Sequence, residues 1–263
     1  MRGLMLAALA LVAPFSLGAV SAAKPIAAGS FVEWSSAKGP RAWTSGGVTA
    51  TLTLRRKPDS VIPVITVSAP GLTPLRIEAE ENYGSGTVYV GIGSLRTGEK
   101  PSVIVQSWTG GAHCCMHVAV ASPAGRAFRL IEMGSWDGDQ IAWPRDVSGD
   151  GVADFVFRDQ SFLYTFGSYA GSWPPPLVIN LRGLKSVDVS TNPAFRPLYA
   201  AEIDEVRMAC LDDGDALSGG ACAGYLATAA RLGQFDAAWA RVARTKVDSG
   251  AIRAFLRKQG YIR

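Results

Sequence analysis

Short apolar runs separated by glycine and proline are the feature that most constrains how the first two thirds of this chain fold. From Phe31 to about Val189 these runs are rich in valine, isoleucine and threonine, and no helical period appears between them. The clearest runs are residues 48–54, 61–67, 87–92, 102–105, 117–121 and 155–157. Runs this short, joined by tight turns, favour antiparallel sheets. We therefore expect a mainly β, antiparallel region built as a sandwich or from propeller-like blades.

The composition changes at residues 192–197, and the pattern after them is helical. Small and apolar residues recur there at helical spacing, and glycines interrupt the pattern. The predicted helices are residues 199–211, 221–232, 235–244 and 251–259. The overall class is then α+β, with a β domain at 24–192 and a C-terminal helical module at 193–263.

Small residues recur in 223–239 and would allow two predicted helices, separated by Gly233, to pack closely. This segment resembles one helical hairpin of the tetratricopeptide type. A peptide-binding groove of that family needs about three repeats, so a single hairpin implies a packing module with an interaction face. Cys210 and Cys222 flank a glycine-rich loop between neighbouring predicted helices, and a disulfide between them is the economical pairing.

A weak internal repeat offers one way to arrange the β region. Residues 100–106 align with residues 152–158 at an offset of about fifty, which is the size of a propeller blade. Further apolar runs follow each copy, at 117–121 and 128–131 in the first and at 162–166 and 177–179 in the second. The β region holds enough chain for three or four blades, fewer than most closed propellers contain. An open or sandwich-like sheet is the alternative.

An acidic, glycine-rich loop at residues 146–154 carries the pattern of a cation-binding site. It places oxygen-bearing side chains at alternate positions and ends on a further aspartate before an apolar run. Calcium takes six to eight oxygen ligands, which three carboxylates, a hydroxyl, a main-chain carbonyl and water would supply. The candidate ligands are Asp146, Ser148, Asp150, the Val152 carbonyl and Asp154. An acidic hairpin that binds no ion is the alternative.

The same loop resembles the calcium loop of FG-GAP/VCBS repeats, the integrin-like propeller blades. The likeness covers residues 146–158, where the loop leads into a strand and Phe157 stands where an EF-hand would carry its glutamate. Ser148 replaces the usual aspartate or asparagine of that family. The resemblance implies a calcium-stabilised β-propeller blade with weakened affinity for the ion.

The N-terminus has the order of a secretory signal. Arg2 precedes an apolar run, and small residues follow it up to Ala23. We therefore interpret residues 1–23 as a signal peptide and expect an exported protein, periplasmic or secreted, that has no membrane span. The formal net charge of +4 is too small to indicate a nucleic-acid partner. An even number of cysteines, four, agrees with an oxidising compartment.

Both histidines of the chain and half of its cysteines lie within residues 110–117. In an extended segment, the two-residue period would place His113, Cys115 and His117 on one face, a set suited to zinc or copper. Two other interpretations compete with this second metal site. Cys114 and Cys115 would form a vicinal disulfide that presents a rigid hydrophobic plate, or they would pair with Cys210 and Cys222. A catalytic cysteine is the least favoured, because adjacent strand residues point apart.

The sequence lacks the short motifs of common enzyme classes, including the nucleophile elbow, the zinc-protease helix and the phosphate loop. Acidic side chains that could serve a glycosidase are present, although solvated loop charges explain them more simply: Glu78, Glu80, Glu81, Asp137 and Asp139. Aromatic residues close to the cysteine cluster and between it and residues 174–176 would stack on sugars or peptides, or would pack in the core: Trp108, Trp136, Trp143, Tyr164, Tyr169 and Trp173.

These features favour a non-enzymatic, calcium-binding β protein that acts as a binding or scaffold module for protein or glycan at the cell envelope. The alternative is an exported hydrolase with its site at residues 110–117 and His113 or His117 as base. A metal-handling protein that uses His113, Cys115, Met116 and His117 is a further alternative.

Overall fold

The computed structural model describes residues 22–79, 87–110, 114–138, 140–211 and 218–263. The strands within these ranges are β1 (Lys24–Pro25), β2 (Phe31–Ser35), β3 (Arg41–Ser45), β4 (Val48–Arg56), β5 (Val61–Ser68), β6 (Leu75–Glu78), β7 (Thr87–Gly93), β8 (Ser102–Trp108), β9 (Met116–Ala124), β10 (Ala127–Trp136), β11 (Asp154–Arg158), β12 (Pro176–Arg182) and β13 (Lys185–Asp188). The α-helices are α1 (Arg196–Ala200), α2 (Ile203–Leu211), α3 (Ser218–Leu232), α4 (Phe235–Val242) and α5 (Ser249–Lys258). The predicted class, mainly antiparallel β with a C-terminal helical region, is confirmed.

The strands form three sheets. The first has the order β1-β3-β4-β5-β6, the second β10-β9-β8-β7-β2 and the third β11-β12-β13. Neighbouring strands are antiparallel, except that the short β1 pairs in parallel with β3. The second sheet is covered on both faces, because one hydrophobic core joins it to the first sheet and another joins it to the third.

Strand β8 shows how the sequence specifies this central layer. Its residues are buried on both faces, so it is a continuous apolar run and not an alternating one. Val103 and Val105 pack in the core shared with the first sheet, while Ile104 packs with Phe155 and Phe157 of β11. In β4 the alternation is retained, with Val48, Ala50 and Leu52 buried and the threonines between them partly exposed.

The helical region packs against the third sheet. Val178 of β12 is in one cluster with Phe195 and Tyr199, and the Tyr199 hydroxyl donates to the Pro176 carbonyl at 3.0 Å. Phe162, from the segment between β11 and β12, is buried among the helices and contacts the Phe255 and Tyr261 rings edge-on. The segment from 160 to 173 thus packs with the helical module, although it precedes the composition change.

Small residues in α3 permit a very close approach by this segment. A Cβ added at Gly220 would overlap the Gly171 carbonyl oxygen, and one added at Gly224 would overlap the Trp173 carbonyl oxygen. The loop backbone therefore lies directly on the helix. Small residues in this region predict close contacts between helices, whereas Gly220 and Gly224 accommodate loop carbonyls.

The predicted repeat of blades is wrong. The run at 162–166 forms no strand, because Gln160–Phe162 is a 3-10 helix and Phe162 is buried among the helices. Residues 100–106 lie mostly in the middle of the second sheet, whereas β11 forms one end of a separate three-stranded sheet. The two copies are therefore in different environments, and the sheets stack as layers.

Candidate functional site

Trp143 lies in the segment between β10 and β11, and its indole contacts a surface made of glycine. A Cβ added at Gly91 would lie 2.8 Å from Trp143 Cζ3, one at Gly93 would lie 2.7 Å from Cζ2, and one at Gly29 would lie 3.2 Å from Cδ1. Larger residues at these positions would displace the ring. The Phe31 ring lies 5.5 Å from the indole, tilted by 53°. The glycines therefore allow the indole to lie against the end of the second sheet.

Hydrogen bonds fix the chain on both sides of Trp143. The side chain of Gln106, which is fully buried, donates to the Ile141 carbonyl at 3.1 Å and accepts from the Ile141 amide at 2.8 Å. On the other side, the Asp154 amide donates to the Arg145 carbonyl at 2.8 Å. Because a buried amide is costly to leave unpaired, the Gln106 contacts order this segment.

A cleft of about 410 Å³ opens beside the indole. Its walls come from the segment before β2, from the Trp143 segment and from β11: Gly29, Ser30, Phe31, Ala142, Trp143, Pro144, Arg145, Val147, Asp154 and Val156. Val147 and Val156 are each 38% exposed and are among the large hydrophobic side chains that remain accessible. The cleft is therefore bordered by aromatic and aliphatic groups, which is typical of ligand sites.

Two sheet ends border this cleft. Within the described residues, β2 is the last strand of the second sheet and β11 is the last strand of the third. Phe31 begins β2, while Asp154 and Val156 belong to β11. The cleft therefore lies where the edges of two stacked sheets come together.

The charges on the cleft wall differ in accessibility. Arg145 is exposed, whereas Asp154 is 1% exposed. Asp154 Oδ2 accepts from the Val147 and Ser148 amides at 2.9 and 3.0 Å, and Oδ1 accepts from the Asn180 side chain at 3.0 Å. Of these two charged groups on the cleft wall, the Arg145 guanidinium is therefore the one that a ligand can reach.

The predicted calcium loop adjoins this cleft through Val147 and Asp154, and its carboxylates hold the turn. Asp146 accepts from the amides of Gly149, Asp150 and Gly151 at 2.7, 3.1 and 2.9 Å, and Asp150 accepts from the Val152 amide at 2.9 Å. Among the described residues, no three His, Cys, Asp or Glu side chains form a group that could hold a metal ion. Calcium binding by Asp146, Ser148, Asp150, Val152 and Asp154 stays a prediction.

The cysteines form two disulfides in the structure, Cys114–Cys115 and Cys210–Cys222, and none is left free. The Cys115 amide donates to the Thr109 hydroxyl at 2.8 Å, and the Thr109 amide donates to the Cys115 carbonyl at 3.0 Å. These bonds hold the vicinal pair beside the end of β8. The interpretation that pairs Cys114 and Cys115 with Cys210 and Cys222 is therefore wrong.

The zinc or copper site predicted at His113, Cys115 and His117 stays a prediction, and it would require the reduced form. A cysteine in a disulfide has no thiolate to offer a metal. His113 lies outside the described residues, and His117 Nε2 is 3.1 Å from Glu132 Oε2 on the neighbouring strand. The hydrolase interpretation, with His113 or His117 as base, also stays a prediction, and of these two histidines the structure describes His117.

Of the acidic residues considered for a glycosidase, the structure describes Glu78 and Asp137. Glu78 binds Arg55 at 2.6 Å and Arg76 at 2.9 Å, and the hydrogen bond from Arg55 lowers the pKa of its carboxyl. A general acid needs a raised pKa, so Glu78 does not suit that role. Glu80, Glu81 and Asp139 lie outside the described residues.

In the sequence, Trp143 is one of several aromatic residues that could stack on a ligand, and no local pattern indicates its cleft. A signal was present in β7, where Gly91 and Gly93 stand at alternate positions and so share one face. Glycine inside a strand often marks a close approach by another group. The sequence alone does not identify Trp143 as that group.

Together these features define a layered β protein with an aromatic-walled cleft and a C-terminal helical module. Residues 200–252, which span most of that module, match the family model described as the sll0997 C-terminal domain. This finding corrects both resemblances proposed from the sequence. No FG-GAP/VCBS repeat family is matched, and the segment that resembles a tetratricopeptide hairpin lies instead within the stretch similar to the sll0997 C-terminal domain.

Two curated proteins are similar over a longer stretch. The chain is 29% identical over 202 residues to the "Probable thylakoid lumen protein sll0997" of Synechocystis sp., an alignment that covers 74% of the chain and 59% of that protein. It is 30% identical over 206 residues to the "Uncharacterized protein y4bJ" of Sinorhizobium fredii, covering 76% of the chain and 32% of that protein. The chain thus spans about three fifths and one third of these relatives. No solved structure matches it significantly.

Proposed function

We propose that this chain is an exported, non-enzymatic binding module and that the Trp143 cleft is its binding site. The observation that carries this proposal is the position of the indole. One side lies on Gly29, Gly91 and Gly93, while the ring also lines an open cleft. An aromatic ring fixed in this way binds with little loss of conformational freedom, because it is already ordered before the ligand arrives. The expected partner is a protein or a glycan at the cell envelope.

Three observations support export. The first residues have the pattern of a secretory signal, the chain resembles a protein named for the thylakoid lumen, and its cysteines are paired. Disulfides form and persist in oxidising compartments such as the bacterial periplasm. None of the helices in the described ranges has the length and apolar character needed to cross a membrane.

Binding to arrays of random peptides and of bacterial glycans tests the site. Wild type and a Trp143→Ala variant are compared, with Trp239→Ala as the matched control. Trp239 is a partly buried tryptophan of α4 that stacks on Phe235. We expect array ligands that lose at least about tenfold in affinity with Trp143→Ala and bind Trp239→Ala normally. Equal binding to all three proteins, or no ligand on either array, would overturn the proposal.

We further propose that calcium stabilises the loop beside the cleft, as its spacing of oxygen-bearing residues predicts. Binding an ion to the folded state alone raises the melting temperature as its concentration passes the dissociation constant. The test is a calcium titration of wild type and Asp150→Asn, followed by thermal unfolding. A higher Tm for wild type, absent in the variant, is expected. An unchanged wild-type Tm at millimolar calcium would show that the carboxylates serve the turn alone.

A further inference from the structure

We infer that the ligand of the Trp143 cleft is an extended peptide segment that adds as a fourth strand to the edge of β11. This inference rests on the proposed function, since it specifies what the same cleft binds. Strand addition requires an accessible sheet edge, pockets for side chains beside it and room for the added backbone.

The hydrogen-bonding pattern of β11 supplies the accessible edge. The Asp154 amide donates away from β12, to the Arg145 carbonyl. Because strand residues alternate with a period of two, the backbone amides of Val156 and Arg158 point in the same direction as that of Asp154. Arg145 pairs with Asp154 on this edge, and Val156, the next residue whose amide points outward, lines the cleft. A peptide in line with Arg145 would extend the ladder that Arg145 begins.

The cleft provides the side-chain contacts. Alternate residues of an added strand point to one face, and there they meet the Phe31 and Trp143 rings and the exposed part of Val147. An aromatic or long aliphatic side chain suits this wall, because burying it removes apolar surface from water on both sides. A sugar would use the indole but would leave the main-chain groups of β11 without strand-like partners.

Charge on the wall selects among apolar peptides. Arg145 is exposed on the cleft, whereas the Asp154 carboxylate is buried and accepts three hydrogen bonds. A carboxylate on the peptide would therefore meet an accessible guanidinium, which recognises carboxylates by charge-assisted hydrogen bonds. The expected ligand is an extended segment that carries an apolar residue for Trp143 and an acidic residue for Arg145.

Binding of peptides selected from the random array to variants that lack a β11 backbone amide tests this inference. Val156→Pro removes the outward amide of β11, and proline is tolerated at an edge position whose amide points to solvent. Val156→Ala is the matched control, because it changes the same side chain and keeps the amide. We expect at least about tenfold weaker binding for Val156→Pro than for Val156→Ala. Circular dichroism verifies that each variant is folded.

A second measurement applies whether or not Val156→Pro folds. N-methylation of single residues along a selected peptide removes one donor at a time, and strand pairing predicts losses at alternate positions. Arg145→Ala should weaken acidic peptides at least about fivefold and leave their amide analogues unchanged. Binding lost with Trp143→Ala but insensitive to N-methylation would overturn strand addition and leave the binding cleft intact. Selected ligands that are all glycans would also overturn it, and binding independent of Trp143 would overturn the proposed function itself.

Discussion

Glycine permits a close approach in two regions of this molecule, with opposite results. In β7, Gly91 and Gly93 contact an indole that also lines an open cleft. In α3, Gly220 and Gly224 contact the carbonyl oxygens of a loop that covers the helix. The contact in β7 positions a side chain that lines the cleft, while the contact in α3 packs a loop against the helical core. The same substitution, glycine to alanine, should therefore affect binding in one region and stability in the other.

The largest expected effect is on the stability of the helical module. Gly224→Ala would place a methyl group where the Trp173 carbonyl oxygen lies, and backbone has less freedom to move than a side chain. Overpacking typically costs about 1–3 kcal/mol, and contact with a backbone atom places this variant at about the upper value. Urea unfolding of the variant measures it, with Gly250→Ala in α5 as the control. The nearest atom to a Cβ at Gly250 is 3.4 Å away. Equal stability of the two variants would contradict the close contact at Gly224.

The next largest effect is the difference in stability lost when each of the two disulfides is removed. Cys210 and Cys222 are buried and separated by 12 positions, whereas Cys114 and Cys115 are adjacent and Cys114 is exposed. On loop-closure entropy, losing the longer link costs about 3 kcal/mol and losing the vicinal one costs about 1 kcal/mol. Unfolding of the two double alanine variants gives the comparison. In partial reduction followed by peptide mapping, the exposed pair should react first, and the reverse order would contradict the assigned burial.

Gly91→Ala should affect binding more than stability, the opposite of what is expected for Gly224→Ala. Its methyl group would lie 2.8 Å from both the Trp143 and the Phe31 ring, and side chains give way more easily than backbone. We expect a loss of about 1–2 kcal/mol in stability and an affinity as low as that of Trp143→Ala. Gly224→Ala, measured below its melting temperature, should bind normally. If both variants lost affinity equally, the cleft would not be the separate site described here.

The smallest expected effect is a loss of stability at alkaline pH, caused by Tyr261, which is buried against the helical module. Burial raises the pKa of Tyr261, and the nearby Asp159, which accepts from its hydroxyl at 2.7 Å, raises the pKa further. The folded state therefore keeps the proton that the unfolded chain loses near pH 10, so stability falls by about 1.4 kcal/mol per pH unit above that value. The difference between wild type and Tyr261→Phe, measured from pH 8 to 11, isolates this contribution. A constant difference would contradict the raised pKa.

The sequence predicted local elements well because periodicity is a local property. The helices predicted at 221–232, 235–244 and 251–259 occur close to their expected bounds, as do the strands from residues 48 to 121, whereas the helix predicted at 199–211 is divided into α1 and α2. The layers were harder to predict, since β8 and β11 pack through contacts between distant residues. Phe162 illustrates the limit, because its apolar neighbours fit a strand but its burial among the helices decides its structure.

The candidate site was only partly accessible to sequence reasoning for a similar physical reason. The acidic loop is conspicuous because its residues are contiguous, whereas the cleft combines Gly29, Gly91 and Trp143 from three segments. Gln106 is equally hard to recognise, since its importance lies in two hydrogen bonds to Ile141. A contiguous motif can therefore be recognised in the sequence, whereas the cleft can be recognised only from tertiary contacts.

Amide hydrogen exchange with and without the tightest array-selected peptide tests the central claim most directly. If the peptide adds to β11 beside Trp143, the amides of Val156 and Arg158 should exchange at least about tenfold more slowly in its presence. Amides of Phe155 and Phe157, which already pair with β12, should change little. Protection confined to another strand, or no protection in β11 at saturating peptide, would contradict the account.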